Sequence, residues 1–569
     1  MRLYALILCA LTGSLYCDTG VTAATKILQN AYIYPQDTQN PLTHNTCPSR
    51  GAASELHVAI VGAGASGASA AYFLSKAQEQ LQQQGLPECG ASRGSYSIHI
   101  SVYERSNRIG GRVCEVYPLD DESLAPIEIG ASGIKETDFF LLRAAREFGL
   151  HRVRRPQKSR SRIGVWDGEQ FLLDDLDESR WNQWRTYWRY GNGLKKASNL
   201  ANSVLQSFQR IYSPKFLHDP HEQHGYPWTG VQSIAQQLDV GDLVTQSTHD
   251  YFVGHDIPVA VTDELIGAAL RANYAQDTMK AHAYAGVASV SLKNQVAIQG
   301  GNALLLENML VKSNATRHFG ANGDVTGIMK MESIQNSSST VRWKIATRDG
   351  HEGTYDMVML ATPWHASGIT LLNTERTVPK VDFQRMTTTL VVTDAAEPDS
   401  TYFGFEGSHK RVPLTILTTS KEGTTNQPEF ITLSYLRDIS HYQLQGTRYK
   451  RLHVVRLHSQ DPIPDETLDR LFGAGHVFWK KEKSWHAYPK MSPNQSLDNF
   501  EIDTSLFHLN AMEKLVSSME TSALTAKNVA ALVLERWLGS RFIHGYDCKW
   551  TSRPHVLAEG WDKWGCMGS

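Results

Sequence analysis

Long apolar runs are scarce in this 569-residue chain, and their scarcity sets its first limits. The run from Leu3 to Tyr16 falls short of the roughly 20 apolar residues that span a bilayer. No later segment reaches that length either, so no transmembrane segment is expected. Cysteine is rare, seven residues without a C-x-x-C pair, which removes the usual redox and zinc spacings. Neither sign of charge dominates: 56 Lys and Arg against 58 Asp and Glu leave a net charge of -2, which excludes nucleic acid as an expected partner. The basic run Arg154 to Arg162 reads as a solvated loop. No G-x-S-x-G elbow and no H-E-x-x-H occurs, so hydrolases start poorly. His218, His221 and His224 lie among Pro220, Gly225 and Pro227, an exposed loop rather than converging ligands, and no metal is expected.

The apolar run that does exist has the pattern of a secretory signal, with Arg2 before it and small residues around Val21, Thr22, Ala23 and Ala24 after it. Cleavage near Ala24 places the protein on the secretory pathway, secreted or in a vacuolar or lysosome-like compartment. Three sequons, at Asn314, Asn336 and Asn494, agree with that route. Cys9 and Cys17 fall in the signal, leaving Cys47, Cys89, Cys114, Cys548 and Cys566. The odd count leaves at least one thiol free or paired outside the chain, and Cys548 with Cys566 is a candidate local bridge.

Two glycine motifs carry the functional signal. Leu56 to Val61 is an apolar strand, followed by Gly62, Gly64 and Gly67 with Ala65 and Ser66 between them, and then by a helix from Ala68 to Ala77. The first glycine permits the turn, the second lets backbone approach a pyrophosphate, and the third lets the helix pack closely on the strand. Ile98, Ile100 and Val102 mark the second strand, and Glu104 stands at its end to accept from ribose hydroxyls. It comes later than the usual roughly 20 residues after the glycines. The delay is explained by Glu79 to Ser97, which reads as an exposed excursion. An acid there argues against a 2'-phosphate but does not by itself separate NAD from FAD. The run Glu104 to Arg112, E-R-S-N-R-I-G-G-R, makes that separation: Gly110 and Gly111 let backbone pass beside a diphosphate, with Arg105 and Arg112 to complement its charge. Further on, Glu128 to Ile134 brings the small residues Gly130, Ala131 and Ser132 beside a flavin, and Tyr355 to Pro363, with Ala361, resembles the strand that returns to the FAD domain in amine oxidases and phytoene desaturases.

The predicted fold is α/β: a two-domain FAD oxidoreductase with a Rossmann-type dinucleotide-binding domain and an interleaved α+β substrate domain. The expected segments are a signal peptide (1–24), a polar leader (25–55), FAD-binding segment 1 (56–150), substrate-domain segment 1 (151–297), FAD-binding segment 2 (298–370), substrate-domain segment 2 (371–490), a C-terminal FAD-binding segment (491–545) and a tail (546–569). Trp166, Trp181, Trp184 and Trp188 read as core, with a substrate-tunnel wall as the sharper alternative. Asp138 to Phe148 is amphipathic, and a helix is expected after Ile298–Asn302 through Leu310. Strands are predicted over Val325–Met331 and Val341–Thr347, with mainly strands and loops from Asn373 to Tyr488. Phe507 to Trp537 reads as one long helical stretch.

Taken together, V-A-I-V-G-A-G-A-S-G, E-R-x-x-R-I-G-G-R, E-I-G-A-S-G-I, I-Q-G-G-N and the C-terminal M-E-T-S-A-L-T-A-K-N-V-A-A-L resemble the prenylcysteine oxidase (prenylcysteine lyase) family of secretory-route flavoproteins. The resemblance implies non-covalent FAD and oxidative cleavage of a prenyl thioether to a prenyl aldehyde, cysteine and hydrogen peroxide. The expected partners are an apolar small-molecule substrate and molecular oxygen, with peripheral membrane contact also compatible. No triad is implied; His365, His486 and His508 are the histidines placed to assist proton movement. Two alternatives are an FAD oxidase or dehydrogenase of a secondary-metabolite pathway, acting on an apolar aromatic or terpenoid intermediate, and a non-catalytic flavin-binding protein.

Overall fold

A computed structural model of the protein describes residues 47–48, 54–86, 89–154, 163–174, 180–213, 216–217, 225–290, 295–335, 338–405, 411–419, 427–442, 450–544 and 564. The signal, most of the leader, the basic run after Arg154, Trp181's side chain, His218, His221, His224, Asn336 and the Cys548–Cys566 pair lie outside them.

β1 (Glu55–Val61) is apolar on both faces, as a central parallel strand must be. It pairs in parallel with β2 (Ser97–Glu104), Val61 beside Tyr103, and on its other side with Met357–Leu360. Thr316–Phe319 extends the sheet beyond β2, while Leu506–His508 extends it beyond Met357–Leu360, again in parallel. Glu501–Asp503 closes that edge antiparallel. The period of two divides the burial. Val58, Ile60, Met357 and Met359 join the helical core around α1 (Ala65–Gln84), Ala303–Lys312 and Met519–Leu538. Ala59, Val61, Val358 and Leu360 pack instead on Ile328, Trp343 and Ile345 of a four-stranded sheet.

A seven-stranded sheet forms the second body, in the order Val477–Pro489, Phe383–Thr393, Lys450–Ser459, Thr432–Tyr442, Thr415–Thr418, Ile163–Trp166 and Phe171–Asp174. One face packs Leu390, Val392, Leu452 and Val454 on Cys114, Ile127 and Ile129. The other face packs Val391, Val455 and Leu457 on the helix Asp465–Phe472, through Leu468, Leu471 and Phe472. That helix interrupts the stretch expected to be strands and loops.

Three expectations need correction. α1 continues to Gln84 rather than stopping at Ala77, because Q-E-Q-L-Q-Q-Q is a run of good helix formers and Leu81 continues the buried stripe; Gly85, at φ 65°, ends it. The Phe507–Trp537 stretch is not one helix. It holds the strand Leu506–His508, a tight turn at Ala511–Lys514 and a helix that starts at Met519, where Ser518 and Thr521 form a reciprocal capping box. Trp166 is buried, but Trp184 and Trp188 are 51% and 72% exposed. Positions 184, 187 and 188 share one face of Arg180–Tyr190, and that face points outward.

Candidate functional site

The turn between β1 and α1 is built for close approach. Gly62 has φ +113°, and a Cβ there would lie 2.6 Å from the Ala361 carbonyl oxygen. A Cβ on Gly67 would lie 1.8 Å from the Gly62 carbonyl oxygen, so only glycine lets the helix sit this near its strand. Gly64 supplies no side-chain cap, which leaves the N–H groups of Ala65, Ser66 and Gly67 available to an anion.

The second glycine motif meets the first directly. The Gly110 N–H donates to the Ala63 carbonyl at 2.9 Å, and Gly64 bridges to Gly110. Gly110 and Gly111 both have positive φ, at 121° and 59°. Glu104 stands beside them at the end of β2, its Oε2 accepting from the Ala63 N–H at 2.9 Å and its Oε1 from the Ser106 N–H and hydroxyl. A carboxylate has further lone pairs for ribose hydroxyls. Ala361 is buried, and its N–H donates to the Val61 carbonyl at 2.8 Å.

The two arginines stand differently from expectation. Arg105 is exposed and donates to the Ala366 carbonyl at 2.9 Å. Arg112 is committed to a two-pronged pair with Glu513 and donates to the Ala487 carbonyl at 3.0 Å, so its charge is already matched. Burial pushes the Glu513 carboxyl up, but Arg112 overrides it and holds the group below the usual range. With Arg112 matched inside the protein, the backbone N–H groups of the two glycine turns are the groups that would meet a diphosphate.

Gly130, Ala131 and Ser132 run alongside. A Cβ on Gly130 would lie 2.0 Å from the Arg112 carbonyl oxygen and 2.4 Å from the Trp485 ring, and the Ala131 N–H donates to that same carbonyl at 3.0 Å. Asn302 of the I-Q-G-G-N run ties the segment down, donating from its N–H to Glu128 at 2.6 Å and from its amide to the Ala131 carbonyl at 3.3 Å. The Ser132 hydroxyl accepts from Arg456 at 3.2 Å.

The three histidines fall in two places. His365 stacks on Phe383 at 3.9 Å and meets His486 edge to face at 5.0 Å, both rings toward solvent. Burial, then the neighbouring His486 and Arg112, hold the His365 imidazole below its ordinary value. His508 is buried with neither ring nitrogen hydrogen-bonded, and burial lowers it to about 4, so it is neutral at pH 7.

Several residues around the candidate site gave no sequence signal. Tyr274 and Tyr488 meet edge to face at 5.4 Å in an apolar cluster with Leu270, Ala281, Ala285 and Met491. Tyr488 interacts electrostatically with both Arg112 and Arg456. A cleft of about 920 Å³, with Arg271, Gln276, Gln384 and Lys490 in its walls, opens beside this cluster. Gln276 joins the two, donating to the Tyr274 and Pro489 carbonyls. Glu513, Glu520 and Arg456 were also missed: their partners stand hundreds of residues away, and no local spacing announces them. Away from the turns, Glu55, His57 and His99 converge at the exposed start of β1 and β2, ligand atoms within 4.8 Å of one another.

Crowded glycines, an uncapped helix start and an acid closing the second strand fit a dinucleotide flavin. The backbone of Gly62–Gly67 and Gly110–Gly111 would hold its diphosphate and Glu104 its ribose. Fold and site define the class: an FAD-dependent oxidoreductase with a Rossmann-type domain. An NAD(P)-binding Rossmann-like domain model matches residues 60–140. Two solved structures share the fold at low identity: a redesigned putrescine oxidase (TM-score 0.51, 14% identity, 85% of this chain and 99% of that one) and a cyclohexylamine oxidase from Brevibacterium oxydans (TM-score 0.50, 15%, 84% and 99%).

The prenylcysteine lyase model matches residues 173–543, and the chain belongs to that family. Its curated relatives include a prenylcysteine oxidase 1-like protein of Bos taurus, 27% identical over 498 residues (86% of this chain, 92% of the relative), and a prenylcysteine oxidase 1 of Rattus norvegicus, 26% identical over 499 residues (85% and 90%).

Proposed function

We propose that the protein is a thioether oxidase that takes a prenylcysteine-like substrate, one oxygen and one water to a prenyl aldehyde, cysteine and hydrogen peroxide. The observation that carries this reading is that the family match at residues 173–543 takes in five of the seven strands of the large sheet, from Phe383–Thr393 to Val477–Pro489, and the Tyr274–Tyr488 cluster as well as dinucleotide-domain strands. In such a substrate the C–H bond flanked by sulfur and alkene is prone to hydride loss, because the resulting cation is shared by sulfur and the allyl system. Water adds at that carbon, the C–S bond breaks, and the proton goes to sulfur. Bound FAD supplies the two-electron acceptor and its reoxidation by oxygen. The chain's part is placement. The two glycine turns fix the cofactor, and the apolar cluster of Leu270, Tyr274, Tyr488 and Met491 receives an isoprenoid tail. This chemistry needs no nucleophile from the protein.

The test is anaerobic mixing of the yellow holoenzyme with S-farnesylcysteine while following the oxidised flavin band. Bleaching, with peroxide formed on admitting air, is expected; a flavin that stays oxidised refutes the reading.

A secretory location is part of the proposal. It is supported by the signal-like N-terminus, by the disulfide joining Cys47 to Cys89 and by the exposed sequon residues Asn314 and Asn494. Cys114 is free and buried. Among the described residues no helix is long and apolar enough to cross a membrane. Peripheral contact is supported by the outward rings of Trp184, Tyr187 and Trp188 and by exposed Leu194, Lys195 and Lys196 a few residues further along the chain, an aromatic and basic run suited to an anionic lipid surface.

A further inference from the structure

The face of the seven-stranded sheet that packs on Cys114, Ile127 and Ile129 is apolar along most of its length. Arg456 breaks that pattern. It lies opposite Leu390 across one strand pair; Leu390 is two residues from Thr388, which lies opposite Lys483, two residues from Trp485. Antiparallel partners share a face, as do residues two apart, so Arg456, Thr388 and Trp485 stand on one side in a diagonal row. Where that row ends, the Trp485 ring is against Gly130 and Arg456 reaches Ser132, both in the small-residue segment of the dinucleotide domain.

All three side chains carry unused polar capacity. Arg456 is 9% exposed, has five N–H donors, and makes one hydrogen bond, to the Ser132 hydroxyl at 3.2 Å. Among the described residues no carboxylate lies within ion-pair distance of it. The Thr388 hydroxyl and the Trp485 indole N–H are buried without a partner. Arg112 shows the contrast: it is half-buried and is matched directly by the buried Glu513. Glu128 acts on Arg456 only from beyond ion-pair distance, a buried cation without a direct partner is costly, and a planar guanidinium fork is shaped for a carboxylate.

We infer that Arg456, with Thr388 and Trp485, binds the free carboxylate of an amino-acid thioether, so that the enzyme selects substrates whose carboxyl is not esterified or amidated. This rests on the thioether reading above and adds its polar end. The isoprenoid tail lies along the Tyr274–Tyr488 cluster, the carboxylate meets Arg456, and Tyr488, which interacts with Arg456, marks where the two ends join. Anchoring both ends of the substrate fixes the carbon between them.

The experiment compares S-farnesylcysteine with its methyl ester in anaerobic titrations of wild-type, Arg456→Gln and Arg456→Lys holoenzymes, recording the half-saturation of bleaching and the FAD-to-protein ratio. Wild type is expected to half-saturate at tenfold or more lower concentration with the acid than with the ester. In Arg456→Gln that ratio collapses toward one with FAD content retained, and Arg456→Lys recovers part of it. Equal half-saturation of acid and ester in wild type overturns the inference. So does loss of FAD from Arg456→Gln, which would make Arg456 a cofactor contact, or a variant that keeps the wild-type ratio. If Arg456→Gln does not fold, Thr388→Val takes its place, with a several-fold fall in the ratio expected and an unchanged ratio counting against the site. Should neither compound bleach wild type, the thioether reading fails alone. Dodecanoate and dodecanol then probe the site through the flavin spectrum: perturbation by dodecanoate only supports it, and equal perturbation by both overturns it.

Discussion

Glu520 offers the sharpest test of the buried electrostatics that join the helix Phe139–Glu147 to the C-terminal helix. Its Oε1 accepts from the Phe140 N–H and the Tyr212 hydroxyl, each at 2.8 Å, and its Oε2 from the Leu141 N–H at 3.0 Å. Burial, then the neighbouring Asp138 charge, pushes Glu520 up to about 8 despite those three donors. Asp138 is itself raised by burial, to about 6, with Lys135 opposing. Both values lie above those of the unfolded chain, near 4, so the folded pair keeps a proton that the unfolded chain has lost. Stability is therefore full below pH 4.5 as far as this pair goes, and falls as pH rises toward 8. With a little over 1 kcal/mol per unit for one shared proton, about 3 kcal/mol is lost between pH 5 and pH 8. Glu520→Gln keeps an acceptor oxygen and removes the titration. Guanidinium unfolding of both holoenzymes at pH 5, 6.5 and 8 should show wild type losing ground to Glu520→Gln as pH rises. Taking the difference cancels His282 and His508, both lowered to about 4, which act oppositely by losing stability as pH falls below their unfolded values. A difference independent of pH, or one that grows in favour of wild type, refutes the reasoning.

Glu104→Ala removes the acceptor for the Ala63 and Ser106 donors and the ribose contact together; FAD per protein after desalting should fall by tenfold or more, and full occupancy would dismiss Glu104 as a cofactor residue. Gly67→Ala forces a methyl to 1.8 Å from the Gly62 oxygen; overpacking of this kind costs about 1–3 kcal/mol, and a denaturation midpoint and FAD content equal to wild type would contradict the close approach. Replacing Trp184 and Trp188 together by Ser should cut co-sedimentation with anionic vesicles several-fold, and unchanged binding would remove the aromatic patch from consideration.

The cofactor half was legible because backbone geometry leaves little choice of residue. Gly62 and Gly67 are where they are because a Cβ would strike backbone, and such positions announce themselves in any sequence. Strand alternation in Ile98, Ile100 and Val102 likewise reflects one face of β2 buried in the helical core while His99 on the other stays exposed. Helix limits were harder: the Gln-rich run favours helix through Gln84 but is equally polar enough for an exposed excursion, and the packing of Leu81 in the core decides between them. The pairs Arg112–Glu513 and Ser132–Arg456 span more than 300 residues each, so only the folded chain brings the partners together. Aromatic density misled at Trp184 and Trp188, since composition does not say which face of a helix is covered.

The central parallel sheet draws its strands from both ends of the described chain, with Glu55–Val61 at its middle and Leu506–His508 among the last to be made. During synthesis the glycine turn is formed early, yet the strand that completes its sheet, and Glu513, which neutralises Arg112, emerge some 450 residues later. Until then Met357–Leu360 presents an unpaired parallel edge, the kind of surface that chaperones shield. A ribosome-bound or truncated chain would hold the glycine signature without the finished cradle. Flavin capture is thereby reserved for chains that have been translated past Glu513.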